Sequence, residues 1–367
     1  MGLIGILSWS SGSAERLIVI TDGPSLYATA TSYLKLSRDG RVLLGTTVSS
    51  PSGYPIIWTE AEGWRYLRAD GGLTRNRQEA MRSNFAWHIA YDGSVIVGGN
   101  PAYRWQQGIG VDYSLPPSDV PWIATEATAV SWDGQVIYGV GRDLSNRLIG
   151  WRWRNGVAEQ VPIIGAWDCS ADGSCAVNPQ GRWCEDRGWS GPGGVAISAD
   201  GRVVVNRNWR WMEGRGYELV GGWAFTLSGD GRIVAGAVDL PPDYIETSAF
   251  WWREGIGFED LNYTYRNLLG DRYRLERVLW MSADGRYLMG IGERKEADGR
   301  WYGMIYILDT QGRGDVDRDG CIDDADLLAV LFAFGRVGSD LSEDVNGDGV
   351  VEIQDLLEVL FYLGNGC

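Results

Sequence analysis

The chain has little with which to run acid–base or metal-hydrolase chemistry. Among 367 residues there is one histidine, His88. Ser-His catalysis and zinc hydrolysis both draw on imidazole, so they have almost no raw material. Positive charge is short as well: 48 acidic residues face 33 basic ones, a net charge of −15. Such a chain does not suit a phosphate backbone, which argues against a nucleic-acid partner. Only Lys35 and Lys295 among the basic residues are lysines, a bias from which no function follows. No apolar run reaches the length of a membrane span, so none is expected.

Glycine (52) and tryptophan (19) are what the chain has in quantity. That composition suits short strands and tight turns better than helical layers. An Asp-Gly pair recurs at Asp39-Gly40, Asp92-Gly93, Asp133-Gly134, Asp172-Gly173, Asp200-Gly201, Asp230-Gly231 and Asp284-Gly285. Each follows a short apolar run and precedes another, which is a hairpin signal, because glycine takes positive φ without a Cβ clash. Each unit continues into an aromatic strand, as in Ile56-Ile57-Trp58, Tyr103-Arg104-Trp105, Trp151-Arg152-Trp153, Trp209-Arg210-Trp211 and Phe250-Trp251-Trp252. The turn aspartates are 53, 41, 39, 28, 30 and 54 residues apart, a mean of about 41, which is the length of a four-stranded propeller blade.

The pattern predicts a mainly β chain: a β-propeller of about seven blades over residues 15–311, with the fourth and fifth blades trimmed. The last unit, ending Met304-Ile305-Tyr306-Ile307-Leu308, lacks a fourth strand, and Arg16-Leu17-Ile18-Val19-Ile20 belongs to no unit. Residues 16–20 are therefore expected to complete the last blade and close the ring. The apolar start, Gly2 to Trp9, reads as an N-terminal arm or strand over 1–14. It has no basic flank and its apolar core is short for a signal peptide.

Ile197 to Val205 with Trp209-Arg210-Trp211, and Met281-Ser282-Ala283-Asp284-Gly285, resemble the HAF family of bacterial extracellular repeats. The likeness runs over roughly residues 30–308. It implies a secreted propeller-like domain and no defined reaction. A sialidase Asp box is excluded, because Asp and Gly are adjacent here.

The composition changes near residue 312. Residues 313–367 hold 13 acidic residues against 3 arginines, two thirds of the net charge in about a seventh of the chain. Two segments there match at an offset of 29: Asp315 to Leu328 and Asp344 to Leu357. Each places oxygen side chains at loop positions 1, 3, 5, 9 and 12 with glycine at 6, which is EF-hand-type spacing for Ca²⁺. Position 12 is Asp, and an apolar helix follows at once. Leu327, Leu331 and Phe334 fall on one helical face, as do Leu356, Leu360 and Leu363.

These features resemble a type I dockerin over residues 314–364. The resemblance implies a small α-helical double EF-hand-type module (residues 312–367) holding two Ca²⁺. Its ligands would be Asp315, Asp317, Asp319, the Cys321 carbonyl, Asp323 and Asp326, then Asp344, Asn346, Asp348, the Val350 carbonyl, Glu352 and Asp355. Loop positions 10 and 11, where cohesin-binding dockerins often carry a hydroxyl pair, are Asp324-Ala325 and Ile353-Gln354 here. That departure leaves docking on the chain's own propeller or on a neighbouring subunit as the alternatives to a cohesin. Because dockerin folds bring their ends together, the resemblance also implies a Cys321–Cys367 clasp.

Cys175 and Cys184 flank the turn Asn178-Pro179-Gln180-Gly181, a spacing that allows a cross-strand disulfide; Cys169 is then the odd cysteine, or replaces Cys184 as partner of Cys175. Disulfides with calcium loops place the chain outside the cytoplasm, secreted or at a bacterial cell surface. His88 is expected to be a satisfied strand histidine rather than a catalytic one, and the repeated tryptophans to be core before sugar platform. Glu60, Glu62 and Glu254 scatter like surface carboxylates rather than a glycosidase pair. Asn262-Tyr263-Thr264 is the one glycosylation sequon.

Three function classes follow: a non-enzymatic subunit of an extracellular surface layer, fibre or filament, using the arm or the dockerin-like module for contacts; a secreted carbohydrate-binding or carbohydrate-active propeller tethered through a dockerin–cohesin contact; or a monomeric propeller capped by a calcium module.

Overall fold

The computed structural model describes residues 16–20, 34–47, 53–82, 85–240, 247–310, 314–317, 322–338, 341–345 and 349–364. The predicted N-terminal arm lies outside them. The strands form a β-propeller of six hydrogen-bonded sheets. The first holds five strands from Lys35–Leu36 to Leu73–Thr74. The second (Ala86–Ile89 to Gly110–Asp112), third (Trp122–Val130 to Val157–Val161) and fourth (Asp168–Cys169 to Gly188–Gly191) hold four each. The fifth holds six, from Ala196–Ile197 to Gly257–Asp260. The sixth is built from Tyr273–Met281, Tyr287–Lys295 and Trp301–Asp309.

Six blades replace the seven expected from the turns. The reason is the 30-residue spacing between Asp200 and Asp230. It leaves no linker between two units, so strand Gly216–Leu227 runs from the outer strand of one into the inner strand of the next. Strand Val203–Met212 folds back near Arg207, at φ 48, with Glu213 N donating to Arg202 O at 2.9 Å.

In all seven turns the aspartate Oδ1 nevertheless accepts from the backbone N–H two residues on. In six of them a serine hydroxyl donates to the aspartate two residues on, from Ser37 to Asp39 (2.5 Å) through Ser282 to Asp284 (2.5 Å). The second turn has Ala90 there instead. The turns are then linked by backbone: Asp39 N to Tyr91 O, Tyr91 N to Trp132 O, Trp132 N to Ala171 O, Ala171 N to Ala199 O, Ala199 N to Gly229 O, Gly229 N to Ala283 O, and Ala283 N to Arg38 O, at 2.6–3.0 Å. This chain of bonds closes on itself.

Glycine is required in these turns for two reasons. At Gly231 φ is +72, and a Cβ would meet Val203 Cγ2 at 2.7 Å; at Gly40 φ is +80, and it would meet the Tyr287 ring at 2.2 Å. These two turns thus pack on Val203 and Tyr287, each the first residue of the second strand of the unit before.

Ring closure is as predicted. Arg16–Ile20 pairs antiparallel with Trp301–Asp309, from Arg16↔Asp309 to Ile20↔Ile305. Arg16 also reaches Glu60 at 2.6 Å in the first sheet and Asp309 at 3.5 Å. Each sheet buries its alternating apolar residues against a neighbour, in clusters such as Leu44, Ile57, Ile96 and Trp105.

Beyond the last strand lie two ten-residue helices, Asp324–Ala333 and Ile353–Tyr362. They pack around Val316, Ile322, Val330, Val345, Val351 and Val359, pairs of residues 29 apart. The two halves grip each other reciprocally: Gly335 N donates to Val351 O (2.8 Å) and Gly364 N to Ile322 O (2.7 Å). The buried helix faces are Asp326, Val330 and Ala333, and Asp355 and Val359. The leucine faces marked by Leu331, Phe334, Leu360 and Leu363 are instead about half exposed. The valines win because they lie on the side where the two helices meet.

Candidate functional site

Two places gather chemistry. The first is the head of the C-terminal helices. Carboxylate oxygens of Asp315, Asp317 and Asp326, loop positions 1, 3 and 12, lie within 4.8 Å of one another. A cation among them turns mutual repulsion, on the order of 3 kcal/mol per pair at that spacing and an effective dielectric of 20, into attraction. Hard carboxylate donors at this spacing fit Ca²⁺.

Asp326 is fully buried and has a second task. Its Oδ1 accepts from Val316 N (2.5 Å) and Asp317 N (3.1 Å), and its Oδ2 from Asp323 N (2.9 Å). It therefore ties the loop to the helix start. Asp323 caps that helix by accepting from Ala325 N at 2.7 Å, and the two carboxylates form a capping box. Glu352 and Asp355 form the same box at the second helix, with Glu352 N donating to Asp355 Oδ2 at 2.8 Å. Asp344 Oδ2 accepts from Gly349 N at 2.7 Å, position 6 folding back onto position 1. Val350 makes a bridge to Val337. The sequence pattern named these residues as ligands and missed their capping role. Asp319, Cys321, Asn346, Asp348 and Cys367 lie outside the described residues, and with them the Cys321–Cys367 clasp.

The second place is a cavity of about 940 Å³ in the propeller, lined from several sheets. Beside it lies a buried charge cluster. Arg38 Nη2 is 2.9 Å from Asp168 Oδ2, with both side chains buried. Ile197 N donates to the same oxygen at 3.1 Å. Burial opposes ionisation of Asp168, but Arg38 and the bonds it accepts hold its carboxyl below the usual range. His88 Nε2 lies 3.4 Å from Asp168 Oδ1, too poorly directed for a strong hydrogen bond. Burial pushes the His88 imidazole below its ordinary value, so it is neutral near pH 7. Lys35 Nζ sits 4.1 Å from the centre of the Trp280 ring and Arg38 4.8 Å from it, while His88 meets it edge-on at 5.6 Å. Burial brings the Lys35 amine down to about 8.

Sequence reasoning missed this cluster because its members come from different sheets. One signal was available. Between the serine or alanine and the aspartate of the turns stand Arg38, Tyr91, Trp132, Ala171, Ala199, Gly229 and Ala283, and only Arg38 is charged.

The remaining candidates are structural. The Arg-Trp strands form a relay: Arg104 stacks on Trp153, Arg152 on Trp183, Arg182 on Trp211 and Arg210 on Trp252, each reaching the next unit at 5.0–5.6 Å. Three also meet a glutamate there: Glu185, Glu213 and Glu254. Glu254 is therefore held by arginine, as are Glu60 by Arg16 and Glu62 by Arg65. Cys175 and Cys184 form the disulfide, across the register pair Cys175↔Cys184, and Cys169 is free and buried. Asn262 Nδ2 donates to Ser248 Oγ and Leu275 O, and Oδ1 accepts from Leu275 N, all at 2.8 Å. A glycan there would have to break these bonds.

No family model and no curated protein matches the chain. Among solved structures it is similar to TolB from Acinetobacter baumannii, at 12% identity and a TM-score of 0.37, covering 75% of this chain and 65% of that one. It is also similar to a TolB from Agrobacterium tumefaciens (14%, TM-score 0.36, covering 82% and 99%). A third, from a study of two prolyl endopeptidases, gives 10%, a TM-score of 0.41, and coverage of 79% and 47%. The chain thus spans under two thirds of the first and third of these proteins. Among the described residues no helix is long and apolar enough to cross a membrane.

Proposed function

We propose that this chain is a non-enzymatic subunit of an extracellular assembly, and that its C-terminal helices are a calcium-built, dockerin-like docking device. The observation that carries the reading is a duplicated exposed apolar face. Leu328, Leu331, Phe332 and Phe334 on the first half are matched 29 residues later by Leu357, Leu360, Phe361 and Leu363. Phe332 is 86% exposed and Phe361 74%. An isolated phenylalanine on a surface needs no explanation, but a doubled cluster of this size marks a contact surface.

The internal match between halves suits a symmetric partner, and a second copy of this chain meets that condition through an isologous contact. Two Ca²⁺ would be held by the loop carboxylates and carbonyls, Asp315, Asp317 and Asp326 foremost. The ion would set the angle of the loop to its helix and so the separation of Phe332 and Phe361. A disulfide within the propeller suits an oxidising compartment, and loops of this type suit an external calcium supply. The resemblance of the turns to HAF repeats points the same way.

The test is the double variant Phe332→Asp with Phe361→Asp, sized by light scattering in calcium. The expected result is loss of the larger species with the fold retained. Unchanged particle size would remove the reading.

A further inference from the structure

The propeller cavity is independent of the helix pair and has a chemistry of its own. Two of its lining residues, Lys35 and Arg277, form no ion pair among the described residues, and Arg277 Nε is buried without a hydrogen-bond partner. Arg38 beneath is already neutralised by Asp168. The wall shared by the first and last sheets therefore carries two cations with no direct ion pair among the described residues, Lys35 feeling Asp168 and Arg277 feeling Glu276 only at longer range, in a chain of net charge −15. Trp280, 3% exposed, leaves its indole N–H unpartnered beside the same cavity. Among the described lining residues one is acidic, Glu126, whose carboxyl burial pushes above its ordinary value. Trp167 and Trp189, each about half exposed, line the cavity together with the polar side chains of Thr128 and Gln180.

We propose that this cavity binds a carboxylate-bearing sugar ring, with the carboxylate on Lys35 and Arg277 and the ring faces against Trp167 and Trp189. Each element has a chemical reason. An anion would give two cations that form no ion pair among the described residues a direct partner in a largely apolar pocket, where Coulomb attraction is weakly screened. A sugar ring offers C–H faces to the indoles and hydroxyls to Glu126, Thr128 and Gln180. The volume lies in the range of small-molecule sites. A plain carboxylate would leave the tryptophans unused, and a neutral sugar would give Lys35 and Arg277 no direct partner. The proposal goes beyond the assembly reading and neither supports nor needs it.

The test uses the full chain in calcium with three probes: D-glucuronate, D-glucose and acetate, by calorimetry. The expected result is saturable glucuronate binding, with glucose and acetate each at least 10-fold weaker. Lys35→Met should cost 10-fold or more, as should Arg277→Met. Affinity should fall as pH rises above 8, where the Lys35 amine loses its proton. Because the chain has only two lysines, ¹³C-labelled lysine gives two side-chain signals, assigned with Lys295→Arg. Glucuronate should move the Lys35 signal and raise its titration midpoint, a readout that holds even if a variant fails to fold. Equal binding of glucose, equal binding of acetate, no binding of glucuronate, or an unmoved Lys35 signal would each overturn the proposal.

Discussion

The propeller and the C-terminal helices solve the same problem with opposite means. The propeller hides its sheet edges, closes its ring with the Arg16–Ile20 strand and ties its units together with a backbone bond at every turn. It buries aromatics such as Trp105, Trp151, Tyr306 and Phe250 and uses its arginines as mortar between units. The helix pair has a small core of valines, isoleucine and alanine and leaves its large apolar residues outside. Under the calcium proposal, bound metal would supply stability that a core so small does not. The propeller closes through its own strands, whereas the helix pair leaves Phe332 and Phe361 exposed and gathers Asp315, Asp317 and Asp326 at one loop, the two features on which the proposed calcium-dependent contact rests.

The largest effect is expected from removing that cation. In chelator, or with Asp326→Asn, the helix pair should unfold while the propeller keeps its β-sheet signal. The variant should lose at least 10-fold in calcium affinity by calorimetry. The asparagine keeps the size of the side chain but gives up a charge and one acceptor to the loop amides. Coincident loss of both parts would show that they are not separately stabilised.

A converse break is Gly231→Ala. It forces an L-residue to φ +72 and drives a Cβ to 2.7 Å from Val203. The combined cost is about 2–5 kcal/mol, read by denaturant unfolding. Calcium binding by the helices should be unchanged. A cost below 1 kcal/mol would mean that the turns are looser than described.

Reducing Cys175–Cys184 is expected to cost less, about 2.5 kcal/mol, since it closes a short loop with a sequence separation of 9. Its effect should be confined to the propeller transition.

The smallest effect is that of pH on the propeller. His88 is held neutral by burial, with its folded value below the ordinary 6.5. The unfolded chain then binds the extra proton, so propeller stability should decline as pH falls below 6.5. His88→Asn should flatten that slope.

Much of this was legible in sequence where the interaction is local. The Asp-Gly turn, the Cys175/Cys184 register and the strand Arg16–Ile20 that finishes the last sheet follow from residues close together or from an unfilled place in a repeat. What was not legible depends on three-dimensional neighbours. Two units merged into one sheet because a linker was too short for a break, which lowered the blade number. Which helix face is buried was not legible, because leucine outranks valine in hydrophobicity but only contact geometry decides which is buried. Lys35, Arg38, His88, Asp168 and Trp280 converge from distant parts of the chain, and nothing in their spacing announces it.

The most direct test of the account is sedimentation velocity of the full chain over a range of concentrations, in calcium and then in chelator. The expected result is a concentration-dependent larger species in calcium that reverts to a compact monomer when calcium is removed and returns when it is restored. A single monomeric species in both conditions, at every concentration, would contradict the claim that the C-terminal helices are a calcium-built docking device for a second copy of this chain.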